Sequence, residues 1–213
     1  MRTKIKIIIA EDQPVMRRGY VGLFSDYNDL EVIGEAANGE ELLELLKHKK
    51  PDIVLLDIEM PVMNGGVAFD IIKEKYPKIK VIISTIHNES EYIIEYLKKG
   101  ANAYVSKDKQ ANCLIDAIYA VHTNGFHFDK SCSDALLKSV DKVDGIKFTE
   151  REMEIILLIA LGKTNKEIST VLNVVLKTID FHKANMYKKT KTYTSAGLLS
   201  FAYNAGIVIS KKD

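Results

Sequence analysis

Apolar residues along this chain follow two rhythms that take turns. Short apolar runs at residues 4–10 (KIKIIIA), 53–56 (IVLL), 81–83 (VII) and 103–105 (AYV) predict strands, and the alternating stretch 30–36 (LEVIGEA) predicts an edge strand. Between them the apolar positions recur three and four apart, which predicts helices. Met16, Tyr20 and Leu23 mark a helix opened by Pro14; Leu42, Leu43, Leu45 and Leu46 mark one capped by Asn38 and ended by Pro51. Phe69, Ile71 and Ile72 belong to a third, which stops near Pro77. Tyr92, Ile93, Tyr96 and Leu97 lie on a fourth that closes at Gly100; Leu114, Ile115, Ile118 and Val121 form the stripe of a fifth, from about Gln110 to Thr123. Repeated strand–helix units demand a parallel sheet with helices on both faces.

The rest of the chain has only the helical rhythm. Residues 125–148 bridge the halves; Ser131–Val140 is expected as a short helix and Asp141–Lys147 as linker. Thr149 to Glu152 and Thr164 to Glu167 each have the spacing of a capping box, one opening a helix through Met153, Ile156 and Leu157, the other a shorter helix through Ile168 and Leu172. A third helix follows the turn at Asn173, from about Lys177 to Thr190. Two helices joined by a short turn match a helix-turn-helix outline. At about 100° per residue, Leu176, Ile179, Lys183 and Met186 fall on or near one side of the third helix, with Lys177, Phe181, Ala184, Asn185 and Lys188 opposite. Such an outward face offers ammonium groups for phosphates or guanine, an amide for adenine and apolar atoms for thymine methyls. Thr178, His182 and Lys189 lie on a flank suited to the sugar–phosphate backbone.

Composition sharpens this division. Residues 1–145 carry a net charge of −4 and residues 146–213 a net charge of +5, and all 4 prolines precede position 80. An acidic front and a basic tail suggest two units with different partners. Hydrophobic residues at 46% and charged residues at 28% are ordinary for a soluble globular protein, and no apolar run approaches a membrane span. Cys113 and Cys132 have no metal-binding spacing, so a reducing, cytoplasmic setting is expected.

The strand ends carry the chemistry. Glu11-Asp12, Asp57, Ser84-Thr85 and Lys107 each follow an apolar run, and the carboxyl ends of parallel strands share one edge, where such sheets bind ligands. Pro61 stops the central strand after Asp57, and Asn64-Gly65-Gly66 is expected to turn before the next helix. Two carboxylates about 4 Å apart repel by about 4 kcal/mol at an effective dielectric near 20, so three require a counter-charge. A hard divalent cation, Mg²⁺, suits that donor set; Lys107 offers a point charge and Thr85 a hydroxyl for phosphoryl oxygens, with Asp57 left as nucleophile. The site is built to phosphorylate an aspartate.

The acid pair, the strand-end Asp57 followed by Met60-Pro61, Thr85, and Tyr104-Val105-Ser106-Lys107 together resemble the receiver domain of two-component response regulators over roughly residues 4–124. The resemblance implies a flavodoxin-like α/β fold of five parallel strands in the order 2-1-3-4-5. It implies Asp57 as acceptor from a histidine kinase, with Mg²⁺ held by Asp12, Asp57 and the backbone carbonyl of Glu59 and assisted by Glu11. Thr85 and Lys107 would hold the phosphoryl group, and Tyr104 would change position on activation. FTEREMEIILLIALGKTNKEI and KTIDFHKANMYKK resemble the LuxR-type helix-turn-helix, an all-α DNA-binding unit over about residues 146–210. Receiver and tail together resemble the NarL/FixJ class. The last helix, about Ser195–Asn204, would contribute dimer contacts; Lys177, Thr178, His182 and Lys183 would lie on double-stranded DNA, with Asp180 and Phe181 near base edges. Asn185, Lys188 and Lys189 complete the expected DNA-binding set. Val175 replaces the family's usual serine, so the third helix should lack a side-chain cap.

The expected organisation is a receiver at 1–128, a linker at 129–147 and a DNA-binding domain at 148–213. The expected activity is that of a transcription regulator which forms a homodimer when phosphorylated. Two alternatives remain at this point. One is a receiver coupled to a protein-interaction module. The other is an Mg²⁺-dependent phosphatase with an Asp nucleophile, for which Glu59 stands where that chemistry wants a second aspartate.

Overall fold

The computed structural model describes residues 4–132, 135, 146–205 and 207–208. They divide into two compact units: residues up to Asn88 together with Lys99–His127, and Glu89–Lys98 together with the chain from Phe128 onward.

In the first unit the strands are β1 (Ile5–Ala10), β2 (Leu30–Ala36), β3 (Ile53–Leu56), β4 (Lys80–Thr85) and β5 (Ala103–Ser106). They form one parallel sheet in the order β2-β1-β3-β4-β5. The helices between and after them are α1 (Pro14–Ser25), α2 (Gly39–His48), α3 (Gly65–Lys75), α4 (Ser90–Lys98) and α5 (Ala111–Asn124), α4 being grouped with the second unit. Ile7, Ile9, Ile53, Leu55, Ile82 and Val105 pack on one face with Phe24 of α1 and Leu114, Ile118 and Val121 of α5. Alternate strand residues such as Ile8, Val54 and Ile83 point to the other face and are equally buried. Burial on both faces explains why β3 reads as an unbroken apolar run.

Register aligns the strand ends. Ala10 pairs with Leu56, Leu56 with Ile83 and Thr85 with Ser106, so the next residues of β1, β3 and β5 emerge along one rim. Asn38 caps α2 by accepting from the Glu41 amide, as its place in the sequence predicts. The expectation for Gly65 and Gly66 needs correction. They are the first residues of α3, capped by the Asn64 side chain, because Gly65 N donates to Ile58 O and its backbone turns helical at once.

The second unit contains α6 (Glu150–Ala160), α7 (Asn165–Val171), α8 (Leu176–Thr190) and α9 (Ser195–Asn204). Both capping boxes form: Thr149 with Glu152, and Thr164 with Glu167, each satisfying two amides at a helix start. The core gathers Met153, Ile156, Ile168, Ile179, Met186, Leu198 and Ala202. Phe148 meets Phe201 edge-on, ring centroids 6.4 Å apart. Asn173 adopts φ 49° in the turn before α8, a left-handed conformation that asparagine tolerates. Val175 provides no side-chain cap for α8, as expected. The helix expected over Ser131–Val140 lies largely outside the described residues.

Candidate functional site

At the sheet rim, Lys107 donates from Nζ to Asp57 Oδ2 at 2.7 Å and to Glu11 Oε1 at 3.0 Å. All three side chains are almost fully buried. Glu11, Asp12 and Asp57 each bring a carboxylate oxygen within 4.8 Å of the others. Burial holds the Glu11 and Asp57 carboxyls above their ordinary range, although Lys107 draws both down. Burial pulls on Lys107 in the opposite sense, yet its hydrogen bonds to Asp57 and Glu11 outweigh it, and the ammonium titrates above its usual value. One ammonium therefore leaves the carboxylates under-compensated. Glu11 Oε2 lies 2.8 Å from Nζ without a hydrogen bond of good geometry. A compact all-oxygen set with more negative charge than its lysine balances fits a hard divalent cation such as Mg²⁺.

The loops around this cluster are tied to it. Asp57 Oδ1 accepts from Glu59 N at 3.2 Å. Thr85 is fully buried, and its Oγ1 accepts a long hydrogen bond from His87 N at 3.4 Å. The His87 carbonyl in turn accepts from the Tyr104 hydroxyl at 2.8 Å. His87 Nε2 and Glu59 Oε1 meet at 2.8 Å, joining the loop after β3 to the loop after β4.

In the second unit, α8 turns Ile179, Lys183, Met186 and Thr190 inward and leaves Lys177, Asp180, Phe181, Ala184 and Lys188 exposed. Phe181 is 63% exposed amid basic residues. Together with His182, Asn185 and Lys188 it lines a shallow depression bounded by Thr149 and Glu152 at the start of α6.

The receiver-domain family model matches residues 7–119, and the model for bacterial regulatory proteins of the luxR family matches residues 147–202. The chain is a response regulator of the NarL/FixJ class. It is 33% identical to the transcriptional regulatory protein LnrK of Bacillus subtilis over 95% of this chain and 99% of that one. It is 31% identical to the transcriptional regulatory protein MctR of Rhizobium johnstonii, covering 97% of each. Its fold is similar to that of the response regulator RcsB in a complex with DNA, with a TM-score of 0.61 at 24% identity over 93% of this chain and 98% of that one. The regulator is accordingly a DNA-binding transcription regulator rather than a typical enzyme.

The response regulator brings Glu11, Asp12, Asp57 and Lys107 into one cluster; buried Thr85 adjoins it through the Lys107 amide, and buried Tyr104 is linked to Thr85 through His87. Three expectations for α8 change. Leu176 is 47% exposed rather than turned inward, because α8 begins there and its first residue precedes the packed stripe. Lys183 is only 9% exposed, and its Nζ donates to Asn165 Oδ1 at 2.8 Å and Ser195 Oγ at 2.7 Å, so it organises the domain from inside. Lys189 donates to Glu152 Oε2 at 2.6 Å and to the Lys147 carbonyl, which commits that ammonium to α6 and the segment before it. Lys177, Thr178, Asp180, Phe181, His182, Asn185 and Lys188 keep at least partly exposed positions.

Two residues matter more than the sequence suggests. A Cβ on Gly65 would sit 1.8 Å from the Asp57 carbonyl oxygen, so the glycine lets α3 start directly against the strand end. Asn165 bridges Lys183 and Asp180. An invitation to a close contact is written in the Gly65-Gly66 pair, but nothing local in the sequence pairs Asn165 with residues far along the chain.

Proposed function

We propose that a histidine kinase phosphorylates Asp57 and that the phosphorylated regulator dimerises and binds specific DNA to control transcription. The observation that supports this best is the buried Asp57 at the end of β3, with Lys107 on one oxygen and Glu11 and Asp12 beside it. In the transfer, an Asp57 carboxylate oxygen forms the new bond to phosphorus while the phosphorus–nitrogen bond of the kinase phosphohistidine breaks and its imidazole leaves. Glu11, Asp12, Asp57 and the Glu59 carbonyl would hold Mg²⁺, which supplies positive charge for the phosphoryl oxygens. Lys107 moves its hydrogen bond from carboxylate to phosphoryl oxygen. Thr85 donates its hydroxyl proton to another. The latter shift pulls on His87 N, whose residue holds the Tyr104 hydroxyl through its carbonyl. A charge change at Asp57 thereby reaches a buried aromatic ring and the surface above it.

On the DNA side, α8 lies in the major groove with Lys177 and Lys188 toward phosphates, Phe181 toward thymine methyls and Asn185 toward base edges. Thr178 and His182 flank the groove. Asp57→Asn replaces the nucleophilic carboxylate with a neutral amide, and labelling by acetyl phosphate or phosphorylated kinase should vanish. Undiminished labelling of that variant would sink the proposal.

A further inference from the structure

An exposed carboxylate on a helix that faces DNA demands a reason, since phosphate repels it. Asp180 is such a group, one helical turn beyond Lys177 and beside exposed Phe181. Its Oδ1 accepts from Asn165 Nδ2 at 2.9 Å. The Asn165 amide has only one workable orientation. Its oxygen faces the Lys183 ammonium, which can only donate, and its nitrogen faces the Asp180 carboxylate, which can only accept. Lys183 is buried and anchored a second time on Ser195 Oγ, which also meets the Tyr187 hydroxyl at 3.2 Å. The chain Ser195–Lys183–Asn165–Asp180 therefore runs from the inside of the domain to its outer face and fixes one carboxylate oxygen.

We infer that Asp180, aimed by Asn165 and buried Lys183, is a specificity-determining residue that selects a cytosine in the major groove of each operator half-site. Asp180 is exposed, so its other oxygen is free to exchange water for a donor on a base edge. In the major groove, donors come from cytosine N4 and adenine N6. Adenine sets its N7 acceptor next to that donor and repels a carboxylate; cytosine presents N4 without one. Fixing the carboxylate in advance also limits the rotamer freedom lost on binding. Asn165 is a positioning residue here, and Asp180 is the one that touches the base. This rests on the placement of α8 in the groove proposed above.

The test selects binding sites from random duplexes with the phosphorylated full chain and with its Asp180→Ala, Asp180→Asn and Asn165→Ala variants. The unaltered chain should enrich one cytosine per half-site, and replacing it should weaken binding about ten- to hundredfold. Asp180→Ala should flatten that column and keep the others, which also shows that the variant is folded. Asp180→Asn should shift the column to adenine, whose N6 and N7 match an amide. Asn165→Ala should blur it. An unchanged column in Asp180→Ala overturns the inference and leaves Asp180 as a counter-charge for Lys183. No enrichment by the unaltered chain overturns the groove placement itself, a distinct failure.

Discussion

Replacing Lys107 with methionine removes the one ammonium bonded to Asp57 and Glu11 while keeping most of the side-chain volume. All three groups are at most 7% exposed, so solvent offers little compensation. Breaking a buried pair by removing one partner costs about 3–5 kcal/mol. Protonation of one carboxyl limits the loss, which places the expected value near the lower bound, about 3 kcal/mol. At about 3–5 °C per kcal/mol for a unit the size of the receiver, its transition should fall by about 9–15 °C at neutral pH in chelator. The pH dependence has a definite sign. Glu11 and Asp57 titrate above their ordinary values of 4.5 and 3.8 in the folded chain. Folded protein therefore binds protons more tightly than unfolded chain, and this contribution is complete below those ordinary values and lost as pH rises through the raised ones. Without Lys107 the carboxyls rise further, so the gap between variant and parent should narrow as pH falls toward about 4. Millimolar Mg²⁺ should stabilise the variant more than the parent, because it meets no competing ammonium. Melting followed by circular dichroism in chelator and in Mg²⁺ measures both. A variant that melts with the parent at neutral pH in chelator would refute the view that these carboxylates are held together by Lys107.

Gly65→Ala should reduce Asp57 labelling by acetyl phosphate about a hundredfold, since an atom at 1.8 Å must retreat at least 1.2 Å to reach the 3.0 Å that real contacts respect; labelling at the parental rate would count against it. With Lys183 and Lys189 engaged internally, Lys177 and Lys188 remain on α8 for phosphates. About four neutralised phosphates per dimer then give a slope of log affinity against log salt of about −3.6, measurable by fluorescence anisotropy. A flat dependence would point to protein rather than DNA as the partner of the tail. Thr164→Ala removes the hydroxyl that caps α7 and should destabilise the second unit by about 1 kcal/mol in urea unfolding, with Thr164→Ser close to the parent.

The fold was legible because β3 and its neighbours are buried on both faces, and two-sided burial leaves an apolar run that ends abruptly at a polar residue. Parallel topology then carried the distant residues Glu11, Asp57, Thr85 and Lys107 to one rim without further information. The interior of the DNA-binding unit was harder to read. A lysine on the apolar side of a helix is consistent with snorkelling or with an internal hydrogen bond, and only the proximity of Asn165 and Ser195 decides for Lys183. Lys189 is a similar case, since its partner Glu152 lies on another helix. The start of α3 escaped for the opposite reason. Paired glycines usually signal a turn, and the requirement here is clearance beside a carbonyl.

Asn102, just before β5, has a consequence of its own. Its side chain accepts from Lys73 Nζ and Val81 N and donates to the Gly125 carbonyl, binding α3, β4 and the end of α5 at the edge of the sheet away from Asp57. That edge behaves as a clamped foot. Should the far ends of β4 and β5 rearrange, they would pivot about held roots, so the deformation would stay in the loops above the acids and leave the packed isoleucines of the open sheet beneath in place.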